Sequence, residues 1–143
     1  MTVPKIKSEY IDRGLVRYQF INMPLRSIHS FAQKAAEAAL CAGKQGKFWE
    51  MHDLLFEKQG EWSAQLSPSK AFESYAAQIG LNVEKFNRCL QGGETALQVQ
   101  KDLEEAARRG VRATPTFFIN GRKLEGAYPY EVFRSIIEEE LRK

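Results

Sequence analysis

The sequence predicts an α/β fold in which a block of helices separates one early strand from a C-terminal β-hairpin and helix. Three observations carry this expectation. Leu15 to Ile21 alternates, with Val16, Tyr18 and Phe20 facing one way and Arg17 and Gln19 the other, as a half-buried strand does. Residues 30 to 109 hold successive helical patterns divided by glycines. Gly110 to Gly121 then reads Gly-Val-Arg-Ala-Thr-Pro-Thr-Phe-Phe-Ile-Asn-Gly, a short β-prone apolar run closed by the Asn-Gly pair that favours a tight hairpin.

Taken in order, residues 4 to 13 read as the back half of a helix, with Ile6, Tyr10 and Ile11 on one side and Gly14 past its end. Asn22-Met23-Pro24 ends the following strand. The alanine-rich stretch from about Ser30 to Ala42 has high helix propensity and a small-residue face suited to close packing, until Gly43 and Gly46 break it. Phe48 to Lys58 is amphipathic, with Phe48, Met51 and Leu55 expected inward together with Trp49 and Phe56. Ser67-Pro68 offers an N-cap and a first-turn proline for a helix that Gly80 closes. Asn82 caps the next helix, which carries Val83, Phe86 and Leu90, and Gly92-Gly93 precedes a fifth from about Glu94 to Arg109. Pro129 opens the last helix, where Val132, Phe133, Ile136, Ile137 and Leu141 form one apolar stripe.

Pro115 forces Thr114 out of the α region and deprives the start of the strand of one ladder donor. A proline is tolerated there if that backbone position faces a groove rather than a neighbouring strand. Composition alone favours a trans Thr114–Pro115 bond, since only about 5% of X-Pro bonds in folded proteins are cis.

The 143 residues suit one domain with a single core, and no internal repeat or low-complexity segment divides residues 1–143. The 43% hydrophobic and 27% charged content is that of an ordinary globular protein. A net charge of +3, with basic and acidic residues interleaved, argues against nucleic acid or an anionic membrane as partner. No apolar run approaches the ~18 residues of a membrane-spanning helix. Met1 is followed by Thr-Val-Pro-Lys rather than an export signal, so a cytoplasmic location is expected for the chain as it stands.

Cys41 lies on the small-residue helix face and Cys89 near the end of another helix, where two small buried hydrophobes are the default. Nothing on that alanine-packed face would stabilise a thiolate, so a catalytic Cys41 is disfavoured. A metal site from His29, His52 and Cys41 is also disfavoured, for want of a fourth ligand. No metal or cofactor is therefore expected, and Gly92-Gly93 lacks the strand and lysine of a phosphate loop. Glu138-Glu139-Glu140 reads as a solvated helix face, and Trp49, Trp62 and the phenylalanines read as core.

Several of these pieces together resemble the DsbA-like branch of the thioredoxin superfamily over essentially the whole chain. They are Asn22-Met23-Pro24-Leu25, followed by His29 and the alanine-rich helix with Cys41; Gln45-Gly46-Lys47-Phe48-Trp49-Glu50-Met51-His52-Asp53 with Leu55-Phe56; Phe86 near Cys89-Leu90; and Gly110 to Gly121. The resemblance implies an incomplete thioredoxin-like fold, with a helical insertion over about 30–109 and a cis-proline loop, hairpin and last helix over 110–143. It implies a cis Thr114–Pro115 bond, with Thr114 and Pro115 binding substrate, and a structural disulfide between Cys41 and Cys89. Protein or peptide thiols and disulfides are the implied partners, in a bacterial-type, usually extracytoplasmic, setting.

One departure from the family pattern is plain, for the sequence holds no Cys-x-x-Cys. By the resemblance, the strand and active-site turn that carry it would lie upstream of Met1. The strands at 16–21 and 116–119 would then each have an open edge, remedied by direct pairing, by a second copy of the chain, or by residues upstream. Self-association is expected through that edge. Two functions follow from the resemblance: a thiol-disulfide oxidoreductase domain inactive as it stands, or a non-catalytic peptide- or partner-binding, homo-oligomeric module.

Overall fold

The computed structural model describes residues 2–25 and 29–143. The chain divides into two compact units, one formed by Met1–Ile21 with Ala106–Lys143 and the other by Asn22–Glu105.

In the first unit, α1 (Thr2–Ile6) runs on into a π-helical turn, Lys7–Ile11, which places Ile6 and Tyr10 inward. β1 (Thr116–Ile119) pairs antiparallel with β2 (Arg122–Glu125) in the register Ile119↔Arg122, leaving a two-residue turn. Asn120 (φ 49°) and Gly121 (φ 86°) fill that turn, both in the positive-φ region that a type I′ hairpin requires. One face of the hairpin carries Phe117, Ile119 and Leu124 onto a core of Ile6, Tyr10, Phe133 and Ile137. There Phe117 meets Phe133 edge-on at 4.7 Å between ring centroids. α8 (Tyr130–Leu141) supplies Phe133 and Ile137. Pro129 is the residue before this helix rather than its first, with extended backbone (ψ 153°), and Leu141 at the end of the stripe is exposed.

The expected strand at Leu15–Ile21 does not form. Val16, Tyr18 and Phe20 are half-buried and Arg17 and Gln19 exposed, so the alternation is present. Yet among the described residues the sheet consists of β1 and β2 alone. A strand exists only through a neighbour that takes its N–H and C=O groups, and β1 does not close up onto residues 16–21 to supply one.

The second unit is helical: α2 (Ala32–Gly43), α3 (Phe48–Glu57), α4 (Gln59–Trp62), α5 (Ser69–Gln78), α6 (Val83–Gln91) and α7 (Ala96–Arg108), whose last three residues belong to the first unit. The small side chains of α2, with Ala38 and Ala42 fully buried, let α3, α5 and α6 approach it closely. Met51, Phe72, Ala76 and Phe86 fill the remaining core. Trp49 (40% exposed) and Phe56 (60%) are not part of it, because α3 turns only Met51 and Leu55, one turn apart, fully inward. Trp62 is buried as expected, its indole N–H donating to the Leu55 carbonyl at 2.8 Å, which holds the unforeseen α4 against α3.

Asn82 caps α6, its Oδ1 accepting the Lys85 N–H at 3.0 Å. Gln45 fastens that cap, accepting the Asn82 N–H at 2.9 Å and donating to the Asn82 carbonyl at 3.2 Å. Ser67 does not cap α5. Pro68 occupies the cap position without a side-chain bond, and the Ser67 hydroxyl turns to Ser69 Oγ at 3.3 Å.

Candidate functional site

The last turn of α7 closes with two reversed bonds, Gly110 N–H to Ala107 O (3.0 Å) and Val111 N–H to Ala106 O (2.9 Å). Gly110 sits at φ 68°, where a side chain would be strained, and so reverses the chain at the helix end. The turn delivers Arg112, Ala113, Thr114 and Pro115 to the surface, all exposed, ahead of β1. The Thr114–Pro115 peptide bond is cis.

Four contacts within the first unit fix this loop. Thr116 Oγ1 donates to the Ala113 carbonyl at 2.7 Å, and the Gly126 N–H donates to the Pro115 carbonyl at 2.9 Å. Lys123 Nζ donates to the Gly110 carbonyl at 2.9 Å, and the Arg109 guanidinium lies 5.5 Å from the centroid of the Phe118 ring. Both neighbours of Thr114 are thus held through their carbonyls. Among the described residues no group hydrogen-bonds to the N–H or C=O of Thr114 itself. An exposed, fixed and unclaimed peptide unit is chemically suited to pair with an extended backbone.

Cys41 and Cys89 belong to the second unit, where a disulfide joins them (Cα–Cα 5.9 Å) and ties α2 to α6. Both are buried, and Thr95 Oγ1 lies 3.7 Å from Cys41 Sγ while donating to the Glu37 carbonyl at 3.0 Å. The buried Glu37 carboxylate accepts from Gln33 Nε2 (3.1 Å) and Lys34 Nζ (3.3 Å). With both sulfurs bonded, neither cysteine offers a thiolate. His29 is exposed, and its N–H donates to the Leu25 carbonyl; His52 Nδ1 lies 3.0 Å from Asp53 Oδ1.

The acidic run of α8 is not simply solvated. Tyr10 donates to Glu138 Oε1 at 2.6 Å, Arg122 pairs with Glu139 Oε2 at 2.7 Å, and Asn120 Nδ2 reaches Glu140 Oε2 at 3.3 Å. Burial, and next the bond to Glu138, raises the Tyr10 phenol above its ordinary pKa. Tyr130 is raised chiefly by its bond to Glu9. Arg122 holds Glu139 below the usual carboxylate value, and Lys143 does so for Glu140. Alternation and helical period do not show such cross-element pairs, although the Asn-Gly turn alone sets the register that places Lys123 opposite Phe118.

The profile of a thioredoxin family matches residues 1–139. The Na(+)/H(+) antiporter NhaA 1 of Salinispora arenicola is 38% identical over 134 residues, which are 94% of this chain and 20% of that protein. Disulfide bond formation protein D of Bacillus subtilis is 26% identical over 140 residues, 97% of this chain and 63% of that one. The chain therefore spans a fifth to under two thirds of these relatives. The crystal structure of oxidised BdbD from Bacillus subtilis superposes with a TM-score of 0.87 at 27% identity, covering 98% of this chain and 76% of BdbD.

Proposed function

Because this chain belongs to the thioredoxin superfamily, in its DsbA-like thiol-disulfide oxidoreductase branch, we propose that Thr114 and Pro115 form the peptide-binding wall of a disulfide-exchange groove. The observation that carries this is the unclaimed, exposed main chain of Thr114 between two pinned neighbours. An extended segment of a protein thiol or disulfide pairs with Thr114 by strand addition, and the cis-proline shapes the loop without donating a hydrogen bond of its own. Exchange in such a groove runs through a mixed disulfide at a reactive thiolate. The two cysteines of this chain are joined to each other in the core, so the 143 residues bind and orient without supplying the attacking sulfur.

A second reading, a non-catalytic module that holds a peptide or partner chain through the same loop, draws on one observation. The stretch matched in the Salinispora antiporter is a fifth of that protein, as expected of a domain serving within a larger chain. In either case the outer edge of β1, unpaired among the described residues, is a surface for self-association.

Reduction of insulin by dithiothreitol, followed by turbidity, tests whether these 143 residues bind and orient without supplying the attacking sulfur. The chain is expected to leave the rate at that of dithiothreitol alone. Acceleration of the order given by a Cys-x-x-Cys relative would overturn the non-catalytic assignment.

A further inference from the structure

From Ala106 to Leu124 the chain carries Arg108, Arg109, Arg112, Arg122 and Lys123 and not one acid. Their surroundings differ. Arg122 is paired with Glu139, and Arg109 lies over Phe118. Lys123 is 3.9 Å from Glu125 Oε1, and its ammonium also sits on the Gly110 carbonyl, where it offsets the negative end of α7. Arg112 is exposed and, among the described residues, has no acidic partner. Two residues of chain span at most about 7 Å, so its backbone lies beside that of Thr114. Glu125 is cross-strand from Thr116 and is the acid of β2 that faces this end of the hairpin, where Lys123 already engages it.

We propose that Arg112 is a specificity-determining residue that favours acidic peptide segments at the Thr114 loop. This rests on the peptide-binding reading and adds a substrate class to it. A guanidinium presents a planar fork that takes a carboxylate through two parallel hydrogen bonds, which a point charge does not. The pair is solvent-exposed, so each one changes affinity by no more than about fivefold and is weakened by salt.

Three fluorescein-labelled twelve-residue peptides, identical except for two central positions occupied by Glu, Gln or Lys, provide the test by anisotropy with the full chain. Affinity is expected to fall in the order Glu, Gln, Lys, with about tenfold between the extremes at 20 mM salt, narrowing severalfold at 500 mM. Arg112→Gln should flatten the series and Arg112→Glu invert it, with unchanged thermal unfolding because, among the described residues, the exposed Arg112 side chain makes no hydrogen bond or ion pair. Equal binding of all three peptides, unaltered by Arg112→Glu, overturns the inference and leaves the peptide-binding reading standing. Failure of every peptide to bind overturns both.

Discussion

Asp102 Oδ2 accepts twice from Asn22, from its main-chain N–H at 2.9 Å and from its side-chain amide at 2.8 Å. Gln98, one turn before Asp102 on α7, donates to the other oxygen at 2.8 Å. Asn22 and Asp102 are both buried, so the chain at Asn22 is fixed by a carboxylate that accepts from both its main-chain and its side-chain N–H groups.

Asp102→Ala would leave three donors without their acceptor, two of them on the buried Asn22. Each buried unsatisfied group costs about 1–3 kcal/mol, and water can reach part of the site after truncation, so a loss near 3 kcal/mol is expected in urea unfolding. Gln98→Ala removes one donor and leaves the pair with Asn22, which should cost about 1 kcal/mol. Equal effects of the two substitutions would show that the Asn22 bonds contribute nothing.

The Cys41–Cys89 bridge closes a loop of 48 positions, worth about 4 kcal/mol in the chain-entropy model. Replacing both cysteines by alanine should lower stability by that order. Thiol titration of the unreduced, denatured protein should find no free thiol, and two after reduction. Two thiols before reduction would exclude the bridge.

Tyr10 has a raised pKa in the folded state, so it contributes stability that is fully present below its unfolded value of about 10 and is lost as pH rises beyond it. Stability should therefore fall above pH 10, and Tyr10→Phe should make this fall shallower while costing about 1 kcal/mol at neutral pH through the lost bond to Glu138. Glu139 and Glu140 act at the other end. Their lowered values give stability present above the ordinary carboxylate range and lost as pH drops through the folded values. Urea unfolding at a series of pH values reads both limbs, and an unchanged alkaline limb in Tyr10→Phe would contradict the assignment.

The outer edge of β1 predicts association between copies. Sedimentation velocity should show a concentration-dependent species larger than 16.3 kDa at micromolar protein, and Phe118→Pro, which removes a strand N–H, should reduce it. A strictly monomeric species across that range would count against the edge as an interface.

How far the fold was legible follows from which signals are local. Asn120-Gly121 set the hairpin register, Asn82 set a cap, and Gly110 set a helix end, because each of these is decided within a few residues. Val16–Ile21 shows the limit of such signals. Its alternation is kept in burial, but a ladder needs a partner that the pattern of one segment does not encode. Trp49 and Phe56 fit an inward-facing helix by composition, yet the fully buried face of α3 is as narrow as Met51 and Leu55. At the candidate site, Pro115 announced a special loop. The bonds that fix the loop around Thr114 from the hairpin side, Gly126 to the Pro115 carbonyl and Lys123 to the Gly110 carbonyl, arise only once the hairpin has folded back on it.

The claim that the Thr114 loop binds extended peptide is tested most directly by amide NMR of the full chain titrated with S-carboxymethylated insulin B chain. Shifts and slowed hydrogen exchange should concentrate at Ala113, Thr114 and Thr116, with Thr114 the most protected. Saturable binding that leaves these three amides unmoved would contradict the account, as would the absence of any binding.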